Sequence, residues 1–130
     1  MTLIEIFSII IIHWVCDFVL QTDKMAKGKS KNWRDLLMHT SVYSLMWSVP
    51  IYMLTSYGGF ELVNSLFGGP KILLFIPITF ICHTITDYFT SRLNAKLWAK
   101  GDVHNFFVSV GFDQVLHYIQ LFLTYYLLTK

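Results

Sequence analysis

Charge is scarce in this chain. Only 14% of its 130 residues are Asp, Glu, Lys or Arg, against about 25% in an ordinary soluble domain, so lipid rather than water is the expected solvent. Cysteine is scarcer still. Cys16 and Cys82 are the only two, and no Cys-x-x-Cys pair exists, which excludes a paired-thiolate zinc site and a dithiol redox centre. Both lie in apolar runs and read as small packing residues. The chain also lacks a glycine-rich phosphate loop, a His-Glu-x-x-His and a Gly-x-Ser-x-Gly. P-loop nucleotide hydrolysis and serine-based acyl transfer are therefore excluded. No stretch is of low complexity, and no composition shift marks a second domain.

Hydrophobic residues, in contrast, make up 55% of the chain and aromatics 17%. Apolar segments cover about Leu3–Leu20, Leu36–Ser56, Ile72–Thr90 and Phe106–Leu128. Each approaches the ~20 residues with which a helix crosses ~30 Å of hydrocarbon. The expected fold is all-α, a four-helix transmembrane bundle spanning residues 1–130 as one domain. The first segment has no small-residue cleavage site after it and reads as a retained helix rather than a signal peptide.

The cations orient this bundle. All but Lys71 and Lys130 fall in two connections, with Lys24, Lys27, Lys29, Lys31 and Arg34 in one and Arg92, Lys96 and Lys100 in the other. By the positive-inside rule both basic loops are cytoplasmic and both termini lie outside, as in a multi-pass protein of the bacterial inner membrane. Trp33 and Trp98 stand where interfacial anchors belong. The net charge of +2 reflects this asymmetry and offers no nucleic-acid footprint. Gly58-Gly59 and Gly68-Gly69-Pro70 bracket an outer connection holding a short apolar piece, Leu62–Phe67. Asp102 or Asn105 is a candidate cap for the last helix, which is expected to begin near Val103. Pro50 and Pro77 fall inside spans and are expected to kink them.

The polar residues inside the spans follow a rule. His13/Asp17, His83/Asp87 and Asp113/His117 are each four apart, which stacks an imidazole and a carboxylate on one helix face; His39 completes the set. One charge at the bilayer centre costs roughly 2.5–3.5 kcal/mol, so three unpartnered aspartates would cost about 10 kcal/mol, comparable to the stability of a whole domain. They need one another, a bound cation, or both. With alternating helix directions, all four helices bring these groups to one layer in the cytoplasmic half. His13-Trp-Val-Cys-Asp17 also parallels His83-Thr-Ile-Thr-Asp87. The match admits a duplication, two parallel helical hairpins related by an axis along the membrane normal.

Imidazole with carboxylate suits a divalent transition ion, Zn²⁺ first and Mn²⁺ or Fe²⁺ as alternatives, better than Mg²⁺ or Ca²⁺. His13, Asp17, His39, His83, Asp87, Asp113 and His117 are the candidate ligands. They suffice for two ions about 3.5–4 Å apart, or for one ion surrounded by carboxylates that orient its imidazoles. His39 is a ligand or the general acid/base, and Asp87 is the carboxylate on which activity should depend; these two are the candidate catalytic residues. Gln21, Lys24 and Arg92, near the cytoplasmic mouth, are candidates for holding an anionic headgroup. Gln114, offset about 100° from Asp113, reads as a helix–helix contact, and His104 as a solvated loop residue.

The elements His13-x3-Asp17-Phe-x-x-Gln21, His39, His83-x3-Asp87 and Asp113-Gln114-x-x-His117 resemble a family of small phage and bacterial membrane proteins of unknown function, over nearly the whole chain. More loosely, they are similar to bacterial inner-membrane metal-dependent hydrolases with intramembrane His and Asp. The resemblance implies a shared polar site and names no substrate.

Three functions are compatible with this pattern. One is metal-dependent hydrolysis of an amphiphilic or phosphoester substrate at headgroup depth. The second is a metal or proton transport element, which the apolar run Ile9-Ile10-Ile11-Ile12 above the site argues against. The third is a purely structural ion that holds the bundle together. The expected partner is the bilayer, with a homo-oligomer left open.

Overall fold

The computed structural model describes residues 1–130 and contains helices and no strands. Six α-helices follow one another: α1 (Leu3–Trp14), α2 (Asp23–Gly28), α3 (Trp33–Met46), α4 (Ser48–Phe67), α5 (Phe75–Ala99) and α6 (Val103–Leu128). A π-helical turn, Val15–Val19, extends α1, and a 3₁₀ segment, Pro70–Leu74, precedes α5. The starts are set by side-chain caps. Thr2 and Glu5 form a capping box on α1, Thr22 caps α2, Asn32 caps α3, and Asp102 caps α6 by accepting from the Asn105 amide at 3.2 Å.

The expected second span is not one helix. It breaks at Trp47 between α3 and α4, and the cause is Pro50. Proline has no N–H to offer the carbonyl four residues back, and its ring crowds that carbonyl; four back from Pro50 is Met46, the last residue of α3. Pro77 likewise stands in the first turn of α5, where its missing donor costs nothing. Both prolines therefore begin helices instead of kinking them mid-span. α4 bends instead at Gly59, whose φ of 68° and ψ of −176° suit only glycine.

Two segments, Pro70–Ala99 and Val103–Leu128, are long and apolar enough to cross a membrane. The α5 and α6 pair forms the principal hairpin; α3 packs on α5, α1 on α6, and the π turn on α3. The basic connections lie at one end of the molecule. Gly68 and Thr129 come together at the other, joining the connection before α5 to the end of α6.

The distribution of side chains is inverted relative to a water-soluble bundle. Polar and charged side chains outnumber hydrophobic ones among the buried residues. Large apolar residues run along the outside in helical register, Ile81, Ile85 and Phe89 on α5, and Val108, Phe112, Val115, Ile119 and Leu123 on α6. Contiguous apolar surface on that scale is uncommon on soluble monomers.

Candidate metal centre

The site is assembled by four helices, each giving what its register dictates. α1 and its π turn supply His13 and Asp17, α3 supplies His39 and Tyr43, α5 supplies His83 and Asp87, and α6 supplies Asp113, Gln114 and His117. The π turn, closed by the Leu20 amide on the Val15 carbonyl at 2.9 Å, inserts an extra residue into the helix. Cys16 and Asp17 both end up buried there. Cys16 joins the apolar core and both cysteines are free thiols, in line with a packing role for Cys16.

Asp17, His39, His83 and Asp87 converge on one point. From His39 Nε2, His83 Nε2 is 3.2 Å away, Asp17 Oδ1 3.0 Å and Asp87 Oδ2 3.2 Å. From His83 Nε2, Asp17 Oδ1 is 3.4 Å away and Asp87 Oδ2 3.7 Å. A tetrahedron of N and O donors about 2.05 Å from a zinc ion has edges of about 3.3 Å. These separations match that figure. Two bare imidazole nitrogens and two carboxylates also have no strong bonding pattern among themselves without a cation or protons between them.

Asp17 belongs to a second group as well, with Asp113 and His117. His117 Nε2 lies 3.4 Å from Asp113 Oδ1 and 3.3 Å from Asp87 Oδ1. Asp17 is thus common to both groups, and Asp87 turns one oxygen towards each. His83 is held between aromatic faces, with Tyr43 stacked on one side at 3.8 Å and His117 on the other at 4.1 Å. That stacking fixes where its Nε2 points.

His13 is not among the converging donors, because both of its ring nitrogens are engaged. The carboxylates of Asp17 and Asp113 can only accept, so the Gln114 amide turns its NH₂ to them, at 3.3 and 3.1 Å. Its carbonyl oxygen then accepts from His13 Nε2–H at 2.8 Å. The remaining lone pair, on Nδ1, accepts from the Tyr43 hydroxyl at 2.7 Å. In this arrangement His13, expected among the ligands, bonds to Gln114 and Tyr43 and stands beside the converging donors. Gln114 reaches two site carboxylates and is more than a helix contact. A helical wheel understated its long side chain, and nothing in the sequence pointed to Tyr43.

Lys29 is the other unforeseen member. It lies in the basic connection, yet its Nζ sits 2.8 Å from Asp87 Oδ2, with side chains 16% and 1% exposed. Burial alone would favour the neutral amine, but the carboxylates of Asp87 and Asp17 outweigh it and hold the ammonium above its ordinary pKa. Gly28 makes this approach possible. A Cβ there would fall on the buried Asp35 side chain of α3, so only glycine lets α2 lie against α3 with Lys29 aimed inward.

A cleft of about 750 Å³ runs from the basic end to Asp17, Asp113 and Gln114. Of the residues expected at its mouth, Gln21 lines it. Lys24 and Arg92 do not: Lys24 is exposed on α2, and Arg92 donates to the Tyr88 carbonyl at 2.8 Å and lies over the Tyr88 ring. Lys27, Lys29 and Lys31, from the end of α2 and the connection after it, stand at the cleft instead. Beyond His13, towards the opposite end, lies a separate apolar cavity of about 270 Å³ walled by residues such as Ile9, Ile12, Trp47 and Phe75.

The fold and site together define an all-helical protein whose interior is a buried His/Asp cluster with the spacing to bind metal. The chain belongs to the family described as a protein of unknown function (DUF3307), whose profile matches residues 6–130. No curated protein and no solved structure matches it.

Proposed function

We propose that this is a multi-pass membrane protein, its basic end at the cytoplasmic face, that binds a divalent transition ion and hydrolyses a phosphoester-bearing amphiphile. One observation carries the reading: His39 and His83 stand at the edge distances of a tetrahedral donor set from each other and from Asp17 and Asp87, and all four donors converge. Zinc fits that geometry and donor chemistry first, with Mn²⁺ and Fe²⁺ as alternatives. The charges agree. Three site carboxylates face one lysine ammonium, and a single divalent ion balances the remainder. The outward apolar rows of α5 and α6 are the support for lipid contact, with α1 and the α3–α4 pair completing the membrane domain.

In this reading His39 and Asp87, the expected catalytic pair, hold the ion together with Asp17 and His83. The ion supplies Lewis-acid polarisation of water and of a phosphoryl oxygen. Asp113 lines the cleft; its Oδ1 faces His117, and its Oδ2 is steadied by Gln114. It is the carboxylate placed to take a proton from an attacking water. Asp17 and His117 flank it, and the anionic substrate would enter from the cleft beside them. Lys29 stands between cleft and cluster, where it meets that anion.

The near-complete burial of His39, His83 and Asp87 also supports a second reading, a structural ion without turnover. Transport gains no support, since the cavity beyond His13 is apolar. Metal analysis of the detergent-purified protein separates these readings. The proposal expects bound zinc in the wild type, none in Asp17→Asn/Asp87→Asn, and retention of the ion with loss of phosphodiesterase activity in Asp113→Asn. Metal without turnover on any amphiphilic phosphoester leaves the structural ion. A folded wild type that takes up no metal refutes the centre itself.

A further inference from the structure

The cleft beside the cluster carries polar groups that metal binding does not use. Ser91 is more than nine-tenths buried and lines it, and its Oγ has no hydrogen-bond partner. The side-chain oxygens of Gln21 and Asn94, in the same walls, are buried and unpartnered too. Each unpartnered buried group costs about 1–3 kcal/mol. Three of them gather around one cleft. Two are amide carbonyl oxygens and the third is a hydroxyl, so together they call for a ligand rich in O–H donors.

The rim divides in two. Lys27 and Lys31 stand exposed on one lip, while Phe18, Trp98 and Phe107 stand exposed on the other. A ligand matching both lips carries an anion and an apolar portion. From these juxtaposed features we infer that the cleft recognises a phosphorylated polyol headgroup, its phosphate drawn past the lysine lip to Lys29, its hydroxyls on Ser91, Asn94 and Gln21, and its apolar chain over the aromatic lip. The inference names the substrate class of the site proposed above and shares its cleft, but headgroup recognition does not itself require the metal.

The test compares two lipids of equal charge. The full-length, zinc-loaded protein is mixed with phosphatidylglycerol or phosphatidylmethanol in detergent, and retained lipid is read by native mass spectrometry. Both are phosphodiesters, and only the first has hydroxyls. Two or more additional hydrogen bonds predict about a tenfold preference for phosphatidylglycerol, lost in Ser91→Ala/Asn94→Leu and, as an independent check on folding, reduced in Gln21→Leu. Lys31→Gln should weaken retention of both lipids alike. Equal retention by the wild type overturns the inference. Competition by millimolar glycerol 1-phosphate would assign the headgroup to a soluble source, and its failure to a lipid; either outcome supports the recognition chemistry. Metal content measured on the same samples keeps the two readings apart. Headgroup preference in a protein that binds no metal refutes the hydrolase, whereas bound metal with no preference refutes the headgroup assignment.

Discussion

Lys29→Met should make the metal-free protein less stable and at the same time bind metal more tightly. The ammonium lies 2.8 Å from Asp87 Oδ2. At an effective dielectric of about 20, that separation corresponds to about 6 kcal/mol of gross attraction. Desolvation offsets part of it, and removing one partner of a buried pair costs about 3–5 kcal/mol in practice. Lys29 keeps 16% of its side chain exposed, which places the loss at the lower end, about 3 kcal/mol, or roughly 10 °C in Tm for a chain of this size. Methionine preserves the packing of the stem, so charge is the main thing lost. Once a divalent ion occupies the cluster it becomes the counter-charge of Asp87, and the penalty should shrink to about 1 kcal/mol. Closing the thermodynamic cycle, the remaining ~2 kcal/mol appears as metal affinity about 30-fold tighter than in the wild type. Thermal unfolding in detergent, with chelator and with saturating zinc, gives both arms, and competition with a zinc-responsive chelator gives the affinity. Equal losses of Tm in the two conditions, with unchanged affinity, would show that Lys29 and the ion do not share Asp87.

Gly28→Ala should destabilise the fold by about 1–3 kcal/mol through overpacking, because its Cβ would fall on the buried Asp35 side chain. Chemical denaturation reads this loss, and the variant should also gain metal affinity as Lys29 is drawn away from Asp87. Gln114→Leu should weaken zinc binding by about 10–100-fold, since Asp17 and Asp113 both lose a donor and His13 loses its acceptor. An isothermal titration giving wild-type affinity would remove Gln114 from the site.

The inverted interior explains why such effects should be large. In the membrane setting proposed above, apolar packing between helices would gain little, because lipid tails are as apolar as the side chains, and polar contacts would carry a greater share of specificity. Here those contacts radiate from the His/Asp cluster into α1, α3, α5 and α6. Thr84 donates to Thr40 at 3.0 Å beside it, and Gln120 to Thr79 at 3.3 Å one layer on, towards the opposite end.

The residues of the cluster were legible in the sequence for a physical reason. Ionisable side chains are costly in apolar segments, and the spacing of four that pairs His with Asp is a property of any α-helix. Helical content, the α5 and α6 segments, the Asp102 cap and the convergence of Asp17, His39, His83, Asp87, Asp113 and His117 could all be read from composition, period and alternating direction. What only the tertiary structure decided was how the donors divide their work. His13 has the same spacing to Asp17 as His83 has to Asp87, yet it is occupied by Gln114 and Tyr43, which lie on other helices. Lys29 looks like any lysine of a basic connection until α2 folds against α3 and Gly28 brings it to Asp87. The break at Trp47 was written locally, in Pro50 four residues after Met46, but hydrophobicity spread evenly across it concealed the boundary. Spacing along one helix fixes which side chains share a face. Which partners those faces meet depends on contacts between residues as much as a hundred positions apart, as with His13 and Gln114.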